Sequence, residues 1–218
     1  MAEELERAQR AERELVAGIA HDLAHPLTAM RGTLEALRDG LIEPGDAAAT
    51  ARLIAGVGTM GETLEDLRDV AAAEAGRLRL EFHDVDVAAI VTRIADSYVD
   101  LASRKGIELE ASSTGPSFAR TDERRLGRIV ANLVTNALAA TPPGGRVAVR
   151  AQRLASGVTV SIEDTAGAGG ELAIRDALAG GGAGLGLRVV AVLGRAIGAH
   201  LSVEAGAAGA VVEMRLRR

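Results

Sequence analysis

The chain has 218 residues, 48% of them hydrophobic, no cysteine, and 25 basic against 30 acidic side chains for a formal net charge of -5. That length suits one large domain or two small ones with chain enough to bury a core, and the missing thiols exclude disulfide scaffolds, thiolate zinc sites and a cysteine nucleophile. Residues 1–75 carry 7 basic and 15 acidic side chains (net -8) ahead of a remainder at +3, and Phe82, Tyr98 and Phe118 are the only aromatics; both facts argue against direct nucleic-acid binding.

The N-terminus, MAEELERAQR, is too charged for a signal peptide, and no apolar run nears the roughly 20 residues of a membrane span. A cytoplasmic location is expected for the chain as given, and its start in charged helix fits a core excised from a membrane-anchored parent. Residues 1 to about 40 predict one helix, with Val16, Ile19, Leu23, Leu27, Met30, Leu34, Leu37 and Leu41 at intervals of three and four. Pro44-Gly45 makes a turn, and Leu53, Val57, Met60, Leu64, Leu67 and Ala71 repeat the pattern. Two such helices form a hairpin that buries its stripe poorly alone, so a homodimer closing a four-helix bundle is expected.

From about residue 80 the period changes. LEFHDVD predicts a short strand, Val87 to Lys105 a helix, and IELEA and SFAR two strands. Asp122 to Thr141 predicts a helix capped by Thr121 or Asp122 and stopped by Pro142-Pro143-Gly144-Gly145. RVAVRAQRL and GVTVSIED alternate like a hairpin. A glycine-rich stretch leads into a helix from Leu185 to Ile197, and HLSVEA and AVVEMRL end the chain as strands. The expected fold is an all-α helical hairpin followed by an α+β sandwich, one sheet with helices on one face.

Four clusters could carry chemistry. In His21-Asp22-Leu23-Ala24-His25-Pro26-Leu27-Thr28, Val16 and Leu23 at a put His21 at f, facing solvent, with His25 one turn on. Pro26 interrupts a continuous helical pattern at a cost of about 3 kcal/mol, a strained feature that suggests function. A neutral imidazole is a competent nucleophile near neutral pH, and the adjacent carboxylate can orient it or take its proton. Two ordinary surface histidines and an i,i+4 zinc site are the alternatives. Asn132 and Asn136, the only asparagines, share a helix face and suit Mg²⁺ and phosphate oxygens, or a loop hydrogen-bonded to that face. Asp164, followed by Gly167, Gly169 and Gly170, could accept from an exocyclic amine. Gly180 to Leu187 opens a helix with free N–H groups, which favours phosphate; no Gly-Lys-Ser/Thr follows, so it is no Walker loop.

In this order and spacing the clusters resemble bacterial sensor histidine kinases, from about residue 10 to the end. His21 to Thr28 is similar to the phosphoacceptor box, Asn132 to Asn136 to the N box, Asp164 with its glycines to the G1 box, and Gly182-Ala183-Gly184-Leu185-Gly186-Leu187 to the G2 box. The resemblance implies a dimerisation and phosphotransfer hairpin at 1–76 and a GHKL-type ATP-binding domain at 77–218. It implies that His21 takes the γ-phosphoryl group of ATP, that Asp22 is the base or orienting carboxylate, and that Asn136 coordinates Mg²⁺. Asn132 would support the phosphates, Asp164, Gly167 and Gly169 would form the adenine site, and Gly182, Gly184, Leu185, Gly186 and Leu187 would hold the phosphates. The phosphoryl group would pass to an aspartate on a response regulator receiver domain.

The chain departs from the family pattern in places. Ala139 stands where relatives usually carry Lys, the G1 glycines are shifted by one residue, the phenylalanine box is absent and the lid between Gly170 and Gly182 is short. Arg175 in that lid is a candidate replacement phosphate contact. His25 occupies the place where many relatives carry Thr or Asn to assist water attack on the regulator's phosphoaspartate, a task open to imidazole. Ala139 and the altered G1 box motivate a rival reading, a histidine phosphotransfer or scaffold protein with a degenerate ATP-binding domain. A gyrase- or chaperone-like ATPase fits poorly, because the hairpin carries the histidine box.

Overall fold

The computed structural model describes residues 2–167, 170–179, 184–206 and 209–217, with side chains from Val16 onward apart from those of His21 and Ala173. Helix α1 (Ala2–Arg38) runs unbroken through Pro26 and returns as α2 (Ala47–Glu74). Gly40 leaves α1 at φ +72°, and Asp46 caps α2 by accepting from the Ala49 N–H (2.6 Å), the side-chain oxygen replacing an intrahelical partner. Pro26 is buried, and α2 passes it at Gly56, where a Cβ would meet the Met30 side chain at 2.5 Å. The predicted seam divides: Met30, Leu37, Leu53 and Met60 are half-buried within the hairpin, Leu67 packs on the core of the second half, and Leu27, Leu34, Val57 and Leu64 stay exposed.

The second half follows as β1 (His83–Asp86), α3 (Val87–Ser97), α4 (Val99–Arg104), β2 (Glu108–Ser113), β3 (Phe118–Thr121) and α5 (Glu123–Ala140). Then come β4 (Arg146–Leu154), β5 (Gly157–Asp164), α6 (Gly170–Leu178), α7 (Leu185–Ala196), β6 (His200–Ala205) and β7 (Ala210–Arg217). The main sheet has order β2-β4-β5-β7-β6, antiparallel except for β2 against β4. Its register aligns Val149, Ile162, Val212 and Val203 across four strands on the core face and Arg150, Ser161, Glu213 and Ser202 on the other. Leu126, Ile129, Val130 and Leu138 of α5 and Val189 and Leu193 of α7 complete the core, each at most 1% exposed. Asp122 caps α5 by accepting from the Arg125 N–H (3.0 Å), and Lys105, the only lysine, donates to the Leu138 carbonyl near its far end (3.2 Å).

Three expectations need correction. The helix expected over Val87 to Lys105 breaks at Tyr98, whose N–H bonds back three residues to Ala95 (3.0 Å) while the Ser97 hydroxyl donates to the Ile94 carbonyl (2.6 Å); the tighter turn and the competing hydroxyl end the helix. Instead of one sheet the described residues form two, because among them β1 and β3 pair only with each other. The glycine-rich lid contains a nine-residue helix, α6.

Candidate active site

A cavity of about 190 Å³ lies between α5, α6, α7 and the sheet. Its walls are apolar: Leu133 and Ala137 of α5, Ile162 of β5, Ile174 of α6, Leu187 of α7 and Val212 of β7. Two polar side chains, Asn136 and Asp164, interrupt them. Sites that enclose a whole drug-sized ligand usually run to roughly 300–1,000 Å³, so this cavity is scaled to part of a ligand, such as a flat base.

Asp164 ends β5 and is only 7% exposed. Its Oδ1 accepts from the N–H groups of Ala166 (2.9 Å) and Ala210 (3.2 Å), which fixes the direction of the carboxylate. A Cβ at Gly209 would overlap both Oδ1 and the carbonyl of Asp164, so a glycine is needed where β7 begins. Sequence reasoning missed Gly209 and Ala210; the only signal was a Gly-Ala break between two strands, which reads as a turn.

The two asparagines sit beside this cavity in different states. Asn136 lines it, with a buried Nδ2 that has no hydrogen-bond partner among the described residues. Such an orphan is costly unless a ligand satisfies it. Asn132, one turn earlier, donates from Nδ2 to the Arg128 carbonyl (3.0 Å). At Gly186 a Cβ would stand 2.7 Å from Asn132 Oδ1 and 3.8 Å from Asn136 Nδ2. Glycine therefore lets the first turn of α7 lie on both amides. That turn starts at Gly184, and among the described residues no side chain caps it, the kind of helix start whose N–H groups favour an anion.

The hairpin joins the second half through α2. Leu67, Val70 and Ala73 belong to or pack on the main core, as does Ile19 of α1. Around this strip stand ion pairs. Arg128 donates from Nε to Asp66 Oδ1 (2.8 Å) and from Nη2 to the Glu62 carbonyl. Arg125 and Arg124 reach Asp69 (3.2 and 3.5 Å), and Arg188 of α7 donates from Nε to Glu74 (3.1 Å). Burial pushes the Asp66 carboxyl above its ordinary value of 3.8 against the opposing pull of Arg128, and burial likewise raises the Tyr98 hydroxyl beside it. Gly18 of α1 meets the start of α7: a Cβ there would lie 3.5 Å from Gly184 Cα and 3.8 Å from the Leu185 nitrogen. None of these acidic and basic partners was singled out from sequence, where charges on an acidic helix read as a solvated face.

The structure thus brings Asn136, Asp164 and Leu187 to one cavity, with Gly186 packed on the amides of Asn132 and Asn136 and Leu185 buried in the first turn of α7. Gly167, at φ +86°, follows the Asp164 turn in the open. Gly169, Gly182 and the side chain of His21 lie outside the described residues. His25 is exposed and Asp22 half-buried on α1, neither lining the cavity. Arg175 is exposed on α6, its Nη2 donating to the Val203 carbonyl of β6 (3.4 Å), and its neighbour Ile174 lines the cavity. Among the described residues no three His, Asp or Glu side chains converge as a metal site, and no helix is long and apolar enough to cross a membrane.

Comparison with known proteins agrees with this arrangement. Residues 121–218 match the family described as histidine kinase-, DNA gyrase B- and HSP90-like ATPase, and residues 11–76 match the His kinase A (phospho-acceptor) domain. The sensor protein DivL of Caulobacter vibrioides is 31% identical over 210 residues, which is 92% of this chain and 27% of DivL. The signal transduction histidine-protein kinase BaeS of Escherichia coli is 28% identical over 166 residues, 76% of this chain and 35% of BaeS. The chain therefore spans about a quarter to a third of the length of these relatives. The structure of the histidine kinase AdeS of Acinetobacter baumannii shares the fold, with a TM-score of 0.66 at 23% identity over 90% of this chain and 97% of that one. A phospho-acceptor module followed by an ATPase module, with relatives that keep the same order, places the chain among the sensor histidine kinases, as a catalytic core of that family.

Proposed function

We propose that the chain uses ATP to phosphorylate His21 and then hands the phosphoryl group to an aspartate on a response regulator receiver domain. The working division is a phosphotransfer hairpin at 1–76 and a nucleotide domain at 77–218. The observation that carries this reading is the apolar cavity ending on a fixed carboxylate, Asp164, with the amide of Asn136, unpartnered among the described residues, in its wall. An adenine would lie between the apolar walls and give its exocyclic amine to Asp164. The phosphates would extend toward Asn132 and the N–H groups at the start of α7. Mg²⁺ would be held by Asn136 together with phosphate oxygens, and when bound it neutralises charge on them.

In the transfer, one ring nitrogen of His21 bonds to the γ-phosphorus while the bond to the β,γ-bridging oxygen breaks, its electron pair leaving on ADP. The other ring nitrogen gives its proton to Asp22. Phosphoryl transfer of this kind depends mainly on positioning and charge neutralisation, which suits a histidine on a helix and a nucleotide on a separate body. His25, exposed one turn along α1, would assist hydrolysis of the regulator's phosphoaspartate. Leu27 and Leu34 of α1 with Val57 and Leu64 of α2 leave an apolar face on the hairpin, the surface through which two copies would close a four-helix bundle.

Purified chain given Mg²⁺ and radiolabelled ATP is expected to acquire an acid-labile label that His21→Gln removes. Asn136→Ala is expected to remove both the label and nucleotide binding by calorimetry. A chain that binds no nucleotide yet exchanges phosphate with a regulator would instead be a phosphotransfer scaffold.

A further inference from the structure

The docking of the two halves bears on which histidine receives the phosphoryl group, a question that rests on the reading above. Asp66, Asp69 and Glu74 form a track along one side of α2, and Arg128, Arg125 and Arg188 grip it. Asp66 and Asp69 are 9% and 6% exposed, so that part of the grip is largely desolvated, whereas the Glu74–Arg188 pair near the end of α2 is partly open to solvent. With α7 held on α2 in this way, its start at Gly184 faces α1 of the same chain at Gly18. His21 lies three residues further along that helix, a rise of about 4.5 Å. A Cβ at Gly18 would rest in ordinary van der Waals contact with Gly184, so the two backbones run side by side there.

We propose that the acidic track of α2 is a docking rail that seats the nucleotide domain over its own α1, so that transfer runs in cis, from the ATP bound by one chain to His21 of that same chain. The γ-phosphoryl group moves to the ring nitrogen, ADP leaves with the electron pair of the broken P–O bond, and the ring proton goes to Asp22 of the same helix. Asp66, Asp69 and Glu74 are positioning residues in this step, and Gly18 is the point of close approach.

Two experiments test this in the 218-residue chain. The chain lacks cysteine, so Gly18→Cys with Gly184→Cys gives one engineered thiol pair on a clean background. Mild oxidation is expected to give an intrachain disulfide, a faster-migrating single chain on non-reducing gels. A covalent dimer that requires both cysteines would overturn the proposal. Co-expressed, differently tagged dimers that combine a His21→Gln chain with an Asn136→Ala chain provide the second. In cis neither chain has both parts, and the mixed dimer stays unlabelled. A dimer of one wild-type chain with one chain carrying both substitutions keeps about half the wild-type label. Labelling of the Asn136→Ala chain in the mixed dimer would establish trans transfer and overturn the proposal, whereas wild type that fails to label would overturn the kinase reading itself.

Discussion

Single positions decide how well this site holds a triphosphate. Ala139 is exposed near the end of α5, three residues after Asn136, where the family resemblance expects a lysine. A hydrogen bond from a charged group to phosphate is worth about 1.5–3 kcal/mol. Ala139→Lys is therefore expected to tighten Mg·ATP binding by roughly tenfold or more, read by calorimetry. Gly186 works in the opposite sense. A methyl group there would stand 2.7 Å from Asn132 Oδ1, so Gly186→Ala should displace the amide. We expect it to weaken nucleotide binding by about tenfold, equivalent to about 1.4 kcal/mol, with an unchanged circular dichroism spectrum. The asparagines and Asp164 were visible in the sequence because each is a polar residue where its element prefers otherwise. Gly209 and Ala210 were not, since their contribution is backbone that meets Asp164 from 46 residues away.

At the level of elements, alternation and caps made β4, β5, α5 and α7 legible to within a residue or two, because each buries one face against a single core. The α3–α4 break and the β1–β3 pair were illegible because they depend on a local hydroxyl and on a partner strand far along the chain. The α2–α5 junction was hidden for a third reason, that a buried carboxylate and a solvated one look alike in sequence. Its energetics are testable. Arg128→Ala would leave Asp66 desolvated and unpaired, an expected loss of about 3 kcal/mol by urea unfolding, the low end for breaking a buried pair. Asp66→Asn should be far milder. Because burial raises the Asp66 carboxyl in the folded chain, the folded state binds its proton more tightly than the unfolded one. Stability contributed by Asp66 is thus full below the unfolded value and falls as pH rises through the raised folded one. Relative to Asp66→Asn, the wild type should lose urea midpoint across that interval and run parallel above it.

For the molecule as a whole, the uneven charge found in the sequence has an internal address. Part of the acidic front half meets arginines of the basic back half across the α2 junction, so the two halves complement each other instead of repelling a common partner. The apolar side chains left exposed on the hairpin belong to the next level of assembly. Leu34→Asp with Val57→Asp is expected to halve the mass measured by light scattering while leaving helicity intact, since both side chains are about half or more exposed in the single chain. Helix α2 thus has two occupations. Leu64 looks away from the nucleotide domain and Asp66 toward it, two residues and about 200° apart around the same rod. Neither side can turn alone: torque on the stalk that repacks one neighbour must also shift the saddle on which the other rides.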